Sequence, residues 1–140
     1  IINGNAADWG LFDKQADGDW LGQEFITQHV WENPSSVGSE WSFSNNQWTL
    51  TGTGVLSQLT LLQTTDQPEV QRLVTDVESI SGAALAVTDG AAAALEKTVA
   101  GIYTDDIDKA TYARQLYKRN GGATTATINK PSMKEVLKSA

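Results

Sequence analysis

Two groups of aspartates are the side chains in this sequence whose type and spacing best fit metal chemistry. Asp13, Asp17 and Asp19 surround Gly18, and a second group of three lies within residues 105–108. Clustered carboxylate oxygens suit calcium, but the first group lacks the spacing and the terminal glutamate of an EF-hand loop. Clustered aspartates in a loop are more often solvated than bound to a metal. We therefore expect no bound metal, and we keep the first group as the calcium candidate.

Side chains suited to catalysis are scarce in this sequence. His29 is the single histidine and lies in an apolar run, where a packed or edge position is its commoner role. The chain has no cysteine, so disulfides, thiolate metal sites and thiol nucleophiles are excluded. It contains neither a Gly-x-Ser-x-Gly motif nor a phosphate-binding glycine loop. Asp105 and Asp106 are adjacent, and neighbours in a strand point to opposite faces. The sequence therefore predicts a protein that is not an enzyme and has no cofactor.

The first twenty residues differ from the rest of the chain in their pattern of apolar and polar residues. They follow neither a helical nor a strand period, and Gly, Asn and Asp recur between single large apolar residues. Those apolar residues are Trp9, Leu11, Phe12 and Trp20. Aromatic anchors in a polar surround are typical of protein interfaces. We expect an N-terminal arm, residues 1–20, that docks on a neighbouring subunit or on another protein. The alternative is an arm that folds back over its own domain.

Length and charge narrow the class of partner. A chain of 140 residues predicts one domain after the arm, residues 21–140. The net charge of −7 argues against nucleic acid, which needs basic patches. No apolar run approaches the roughly 20 residues of a membrane span. Residues 1–38 and 39–106 are acidic, whereas residues 107–140 carry seven bases against two acids. The acidic start could therefore lie on the basic end, its own or a neighbour's; solvated surface charge is the other interpretation.

The stretch from Trp41 to Leu50 predicts a β-hairpin. Asn45 and Asn46 tolerate positive φ and suit a two-residue turn. Centring the turn on them pairs Trp41 with Leu50, Phe43 with Trp48, Ser42 with Thr49 and Ser44 with Gln47. One face then carries the core hairpin residues Trp41, Phe43, Trp48 and Leu50, and the other face is polar. A helix would instead spread the polar residues around its surface.

Turn residues divide the rest of the domain into short strand-like runs. Runs are predicted around residues 25–31, 55–62 and 70–77, with the last ending at residues 79–82. Further runs begin at Ala83 and Gly101, and the final two cover residues 123–128 and 132–137. Segments 91–100 and 107–119 have good helix propensity, so helix and strand both remain open there. Turns every 8–12 residues favour an all-β sandwich.

The order of several short pieces resembles one known family. The pieces are Leu21–Thr27, Trp41 with Trp48–Gly52, Leu56–Leu59, Ser79–Leu85, Ala100–Tyr103, Ala123–Ile128 and Ser132–Val136. Together they resemble the carbohydrate-binding-module-like jelly-roll domains of tailed-phage virion proteins, which include tail fibres and head-surface proteins. The resemblance covers about residues 21–137. Pro131 departs from the family pattern, because the family has a common strand residue there.

This resemblance implies a fold and a set of binding residues. The fold is a two-sheet antiparallel jelly-roll β-sandwich. A carbohydrate-binding module would stack exposed aromatic rings on sugar faces. Trp31, Tyr103, Tyr112 and Tyr117 are the glycan-stacking candidates, with Trp9 and Trp20 in the arm. Trp41 and Trp48 are set aside because their pairing places them in the core.

The resemblance also implies a function that is not catalytic. We expect a structural protein of the virion surface, either a capsid decoration or cement protein or a short head fibre, attached through its arm and one sandwich face. Its partners would be the major capsid protein, other virion subunits or copies of itself, with neither nucleic acid nor membrane. The alternative is a carbohydrate-binding module that adheres to host glycans. A third interpretation is a calcium-stabilised adhesin.

Overall fold

The computed structural model describes residues 13–52, 58–63, 69–88, 93–108 and 114–138. Those ranges hold nine strands and one short helix, and every strand pairing is antiparallel. The elements are β1 (Asp13–Lys14), β2 (Trp20–Glu24), α1 (Gln28–Glu32), β3 (Trp41–Ser44), β4 (Gln47–Gly52), β5 (Leu59–Gln63), β6 (Val70–Thr88), β7 (Ala93–Lys97), β8 (Gly101–Asp108) and β9 (Arg114–Leu137). The expected all-β class is confirmed. No helix in the described ranges is long and apolar enough to cross a membrane.

A long two-stranded ladder of β6 and β9 forms the centre of the molecule. It runs from Gln71 opposite Glu135 to Thr88 opposite Leu116. On its other side, β9 pairs with β5 near its start, β4 in its middle and β2 at its end. The free side of β6 pairs with β8 and then with β7. The remaining strands, β1 and β3, pair with β2 and β4.

The central ladder is irregular at three places. The register of β6 with β9 shifts between Val74 and Asp76, between Val77 and Ser79, and at Gly82. Bulges of this kind bend a strand and increase its twist. Pro131 lies in the first of them, where residues 130 and 131 of β9 face a single residue of β6. A bulge tolerates proline because the ladder hydrogen bond is already missing there.

The bent ladder folds over itself around one core. Tyr117 is paired with Val87, yet its hydroxyl lies 2.8 Å from the hydroxyl of Thr75. In a straight strand Thr75 and Val87 would be about 40 Å apart, far beyond the reach of a tyrosine side chain. The two halves of the ladder must therefore face each other. The largest fully buried core side chains come from both halves of the ladder and from the elements packed on it: Trp31, Tyr117, Ile26, Leu50, Leu59, Leu73, Leu85, Ile128, Met133 and Val87.

The predicted strand around residues 25–31 is wrong, because α1 occupies Gln28–Glu32. Thr27 caps the helix, and its hydroxyl accepts a hydrogen bond from the backbone N–H of Val30 at 3.2 Å. The helix buries Trp31 in the core and leaves His29 exposed. His29 is therefore not a packed side chain. The composition of residues 25–31 is typical of a strand. The cap at Thr27 and the burial of Trp31 stabilise a helix there instead.

Several predicted strand boundaries also differ from the structure. The stop predicted at residues 79–82 is absent, since β6 continues through a bulge at Gly82 with a φ of 91°. The two final runs, 123–128 and 132–137, are parts of the single strand β9. Most described residues of the two segments with helix propensity are strand: residues 93–97 in β7, 107–108 in β8 and 114–119 in β9. Residues 98–100 lie between β7 and β8. Pairing with β6 overrides local propensity there.

Candidate functional site

A cluster of five charged side chains lies where the described part of the arm meets the sheet. Arg72 projects from the outer face of β6, because its neighbours Gln71 and Leu73 are buried on the inner face. Its guanidinium donates to both carboxylate oxygens of Asp106 on β8, at 2.7 and 3.0 Å. It also donates to Asp19 at 2.8 Å. A paired two-bond contact of this kind fixes orientation as well as charge.

Asp17 and Lys138 complete this group, which we call the arginine cluster: Asp17, Asp19, Arg72, Asp106 and Lys138. The Asp17 carboxylate lies 3.6 Å from the Arg72 guanidinium. The Lys138 ammonium lies 3.3 Å from Asp19 and also contacts Asp106. The cluster therefore ties together the turn between β1 and β2, the strands β6 and β8, and the residue that follows β9. The contact between Asp19 and Lys138 is of the kind that the opposed end charges predicted.

Part of the arginine cluster is shielded from solvent. The Asp19 carboxylate is 9% exposed and the Arg72 side chain 12% exposed, so solvent screens their pairing only in part. The hydrogen bond from Arg72 lowers the pKa of Asp106 below its usual value. The bond to Asp106 likewise raises the pKa of Arg72 and that of Lys138. Asp106, Arg72 and Lys138 are thus held in their charged forms.

The turn between β1 and β2 presents these two carboxylates. Gly18 has a φ of 92°, a conformation that glycine adopts without strain. The Asp17 side chain accepts from the backbone N–H of Asp19 at 2.9 Å, and the carbonyl of Asp19 accepts from the N–H of Gln15 at 2.7 Å. A local aspartate turn therefore sets the geometry that Arg72 recognises.

The calcium candidates have other roles in the structure. Asp17 and Asp19 pair with Arg72, and Asp13 is exposed in β1. Among the described residues there is no group of three or more acidic or histidine side chains able to hold a metal. In the second acidic group, Asp106 faces Arg72, whereas Asp105 pairs with the buried Lys97 at 3.0 Å. The prediction that Asp105 and Asp106 diverge is confirmed.

The hairpin register is confirmed for all four pairs. Trp41 lies opposite Leu50, and Asn45 and Asn46 have φ values of 54° and 60°. Trp41, Trp48 and Leu50 are buried as predicted. The prediction that Phe43 is a core residue is wrong, since Phe43 is 37% exposed. It lies on the outer strand β3, where its ring contacts the rings of Trp31 and Trp48 from one side.

Two of the glycan-stacking candidates are core residues, so their assignment is wrong. Trp31 is 1% exposed and donates its indole N–H to the backbone carbonyl of Asn46 at 2.9 Å. Tyr117 is completely buried, and burial raises its pKa. Tyr103 is half-buried; its hydroxyl donates to a backbone carbonyl, and the Lys97 ammonium lies 4.5 Å from its ring centre. Tyr112 lies outside the described residues.

The arm is described only in its last part. Trp9, Leu11 and Phe12 lie outside the described residues. Trp20 is half-buried at the start of β2, with the Lys14 ammonium 5.6 Å from its ring centre. The residues just before the predicted domain boundary are therefore paired with the body of the molecule.

A groove of about 500 Å³ crosses β4, β9 and β6. Hydroxyl and glycine residues form most of its wall, together with one carboxylate: Glu40, Thr51, Gly52, Ser81, Gly82, Ala123, Thr124 and Thr125. These groups can exchange hydrogen bonds with a polar surface. Sequence reasoning missed this groove because its residues come from three distant segments that only the sheet register brings together.

Sequence reasoning also missed Arg72 and Lys138 as parts of a cluster. The scarcity of basic residues in the acidic part of the chain could have indicated Arg72, because Arg72 and Lys97 are the two bases among the acids of residues 39–106. Both bases form ion pairs in the structure. Comparison of the chain with protein-family models, with curated proteins and with solved structures found no match.

Proposed function

We propose that the protein is a non-enzymatic structural protein of the virion surface, a capsid decoration or cement protein or a short head fibre. Its partner would be the major capsid protein or another virion subunit, reached through the arm and one face of the domain. In this proposal the domain has the fold of a two-sheet jelly roll. The resemblance of residues 21–137 and the all-β antiparallel architecture support it.

The observation that carries the proposal is the fixed root of the arm. Residues 13–20 are held by pairing between β1 and β2 and by the contacts of Asp17 and Asp19 with Arg72. The segment with Trp9, Leu11 and Phe12 is therefore joined to a rigid point on the sheet. A fixed attachment point lowers the entropy lost when such anchors bind a partner. Large apolar anchors of this kind supply most of the binding energy in interfaces.

Glycan adhesion receives less support. The sugar-stacking mode needs exposed aromatic faces. Trp31 and Tyr117 are buried, and the Tyr103 ring is partly covered by Lys97.

Deletion of residues 1–12 tests the proposal, because it removes the anchors and leaves the arginine cluster intact. We expect the shortened protein to keep its circular dichroism spectrum and melting temperature, and to be lost from virions in a cosedimentation assay. A cut at residue 20 would be ambiguous, since it also removes Asp19 from Arg72.

A matched pair of full-length variants controls for chain length. Combined replacement of Trp9, Leu11 and Phe12 by alanine should abolish cosedimentation, whereas replacement of Asn3 and Asn5 by alanine should leave it unchanged. Binding of the shortened protein to virions at the wild-type copy number would refute the attachment role of the arm.

A further inference from the structure

The outer strand β8 carries the most exposed large apolar side chains of the described residues. Ile102 is 71% exposed, and Val99, just before the strand, is 65% exposed. Within the described ranges β8 pairs on one side only, with β6. An edge strand with apolar side chains is a template for pairing with another segment.

The first described strand of the arm, β1, lies at the opposite edge of the same part of the sheet. Asp13 pairs with Leu21, and Leu21 pairs on its other side with Val136 of β9. The adjacent residue of β9, Glu135, pairs with Gln71 of β6, which pairs in turn with Ile107 of β8. The local strand order is therefore β1, β2, β9, β6, β8. Four strand spacings, about 19 Å, separate the two edges.

We propose that residues 1–12 of one copy add as a strand to the β8 edge of a second copy and cover Val99 and Ile102. This inference rests on the proposed function, because it names a partner for the same arm. Trp9 and Leu11 are two residues apart and would share one face of an added strand. Backbone hydrogen bonds would give affinity, and these side chains would select the edge.

Charge favours the N-terminal segment over other occupants of this edge. Residues 1–12 carry one charged side chain, Asp8. Pairing of β8 with β8 of a second copy would bring its aspartates at 105, 106 and 108 close to the same acids, which is unfavourable.

Topology favours a second copy over the segment's own domain. To reach its own β8, the segment would have to leave its edge and cross a sheet face. By pairing with a neighbour, it continues the sheet from edge to edge. Such a contact is head-to-tail, so it closes into a ring or extends as a chain, depending on the rotation between copies.

Complementary variants test this arrangement. The first lacks residues 1–12 and keeps β8; the second keeps residues 1–12 and carries Ile102→Lys, because lysine blocks edge pairing. We expect the wild type to self-associate in sedimentation velocity, and each variant alone to self-associate about tenfold more weakly or not at all. Mixed together, they should form a one-to-one complex that grows no further, because one supplies the strand and the other supplies the edge.

Val37→Lys is the matched control, since Val37 is a 38% exposed apolar residue away from β8. It should associate like the wild type, and circular dichroism should show all variants folded. A wild type that stays monomeric across a wide concentration range, or variants that fail to combine, would overturn the inference. Virion cosedimentation reports the proposed function separately, because a monomer that binds virions would refute only the self-association.

Discussion

Tyr117 shows at the scale of one residue how the two halves of the ladder are joined. Its ring lies in the core, and its hydroxyl shares a hydrogen bond with that of Thr75. Both side chains are completely buried. A buried hydroxyl without a partner loses its solvation with no compensation. This bond therefore couples the two halves of the ladder, since Thr75 lies in one half and Tyr117 in the other.

We predict that Tyr117→Phe lowers the free energy of unfolding by about 1–2 kcal/mol, because the hydroxyl of Thr75 loses its partner. Urea denaturation measures the change. Adding Thr75→Val should restore most of the loss, since both polar groups are then removed together. A double variant as unstable as the sum of the two single variants would contradict this coupling.

The β3–β4 hairpin shows at the scale of an element what local sequence can specify. Asn45 and Asn46 set the turn, and the alternation of side chains then sets the register. The same hairpin holds α1 in place, because the Asn46 carbonyl accepts from Trp31 and the Trp31 carbonyl accepts from the indole N–H of Trp48 at 2.8 Å. The turn is local, whereas the docked helix depends on contacts across seventeen residues.

We predict that Asn46→Val destabilises the protein by about 1–2 kcal/mol, because a β-branched residue is strained at a φ of 60°, which asparagine tolerates. Asn46→Gly should stay within about 0.5 kcal/mol of the wild type, since glycine adopts this conformation freely. Ser44→Val is the control, as it places the same side chain on the hairpin without positive φ. Equal melting temperatures for the valine and glycine variants at position 46 would contradict the strain.

The arginine cluster acts at the scale of the whole molecule. It joins the arm root, β6, β8 and the residue after β9, and its contact between Asp19 and Lys138 spans 119 residues of the chain. Five charges face one another there: Asp17, Asp19, Arg72, Asp106 and Lys138. The cluster holds the turn between β1 and β2 against the sheet, so its integrity bears on both proposals.

We predict that Arg72→Met costs about 1–3 kcal/mol at neutral pH, because it leaves the buried Asp19 without its main partner. Since the pKa of Asp106 is lowered in the folded state, its stabilisation is complete above the ordinary value of 3.8. It is lost as the pH falls below 3.8 through the folded-state value. The difference between wild type and variant should therefore shrink in acid.

Thermal unfolding from neutral pH to below the ordinary aspartate pKa measures this difference. Lys118→Met serves as the control, because it removes a basic side chain outside the cluster, and its effect should lack this acid dependence. A wild-type advantage over Arg72→Met that stays constant on acidification would contradict the assigned pairing.

The sequence by itself determined the all-β class, the absence of cysteine chemistry, and the register and turn of the hairpin. These features depend on composition or on contacts between near neighbours. The divergence of Asp105 and Asp106 was equally predictable, because it follows from strand alternation alone.

Only the tertiary structure decided which aromatic side chains outside the hairpin are buried and which charges meet. Trp31 and Tyr117 were predicted as exposed stacking residues, but a docked helix and the fold of the ladder place them in the core. Arg72 finds its partners across three separate elements. The physical reason is that burial and ion pairing depend on bulges in β6 and β9, which set long-range register and leave no periodic trace in local sequence.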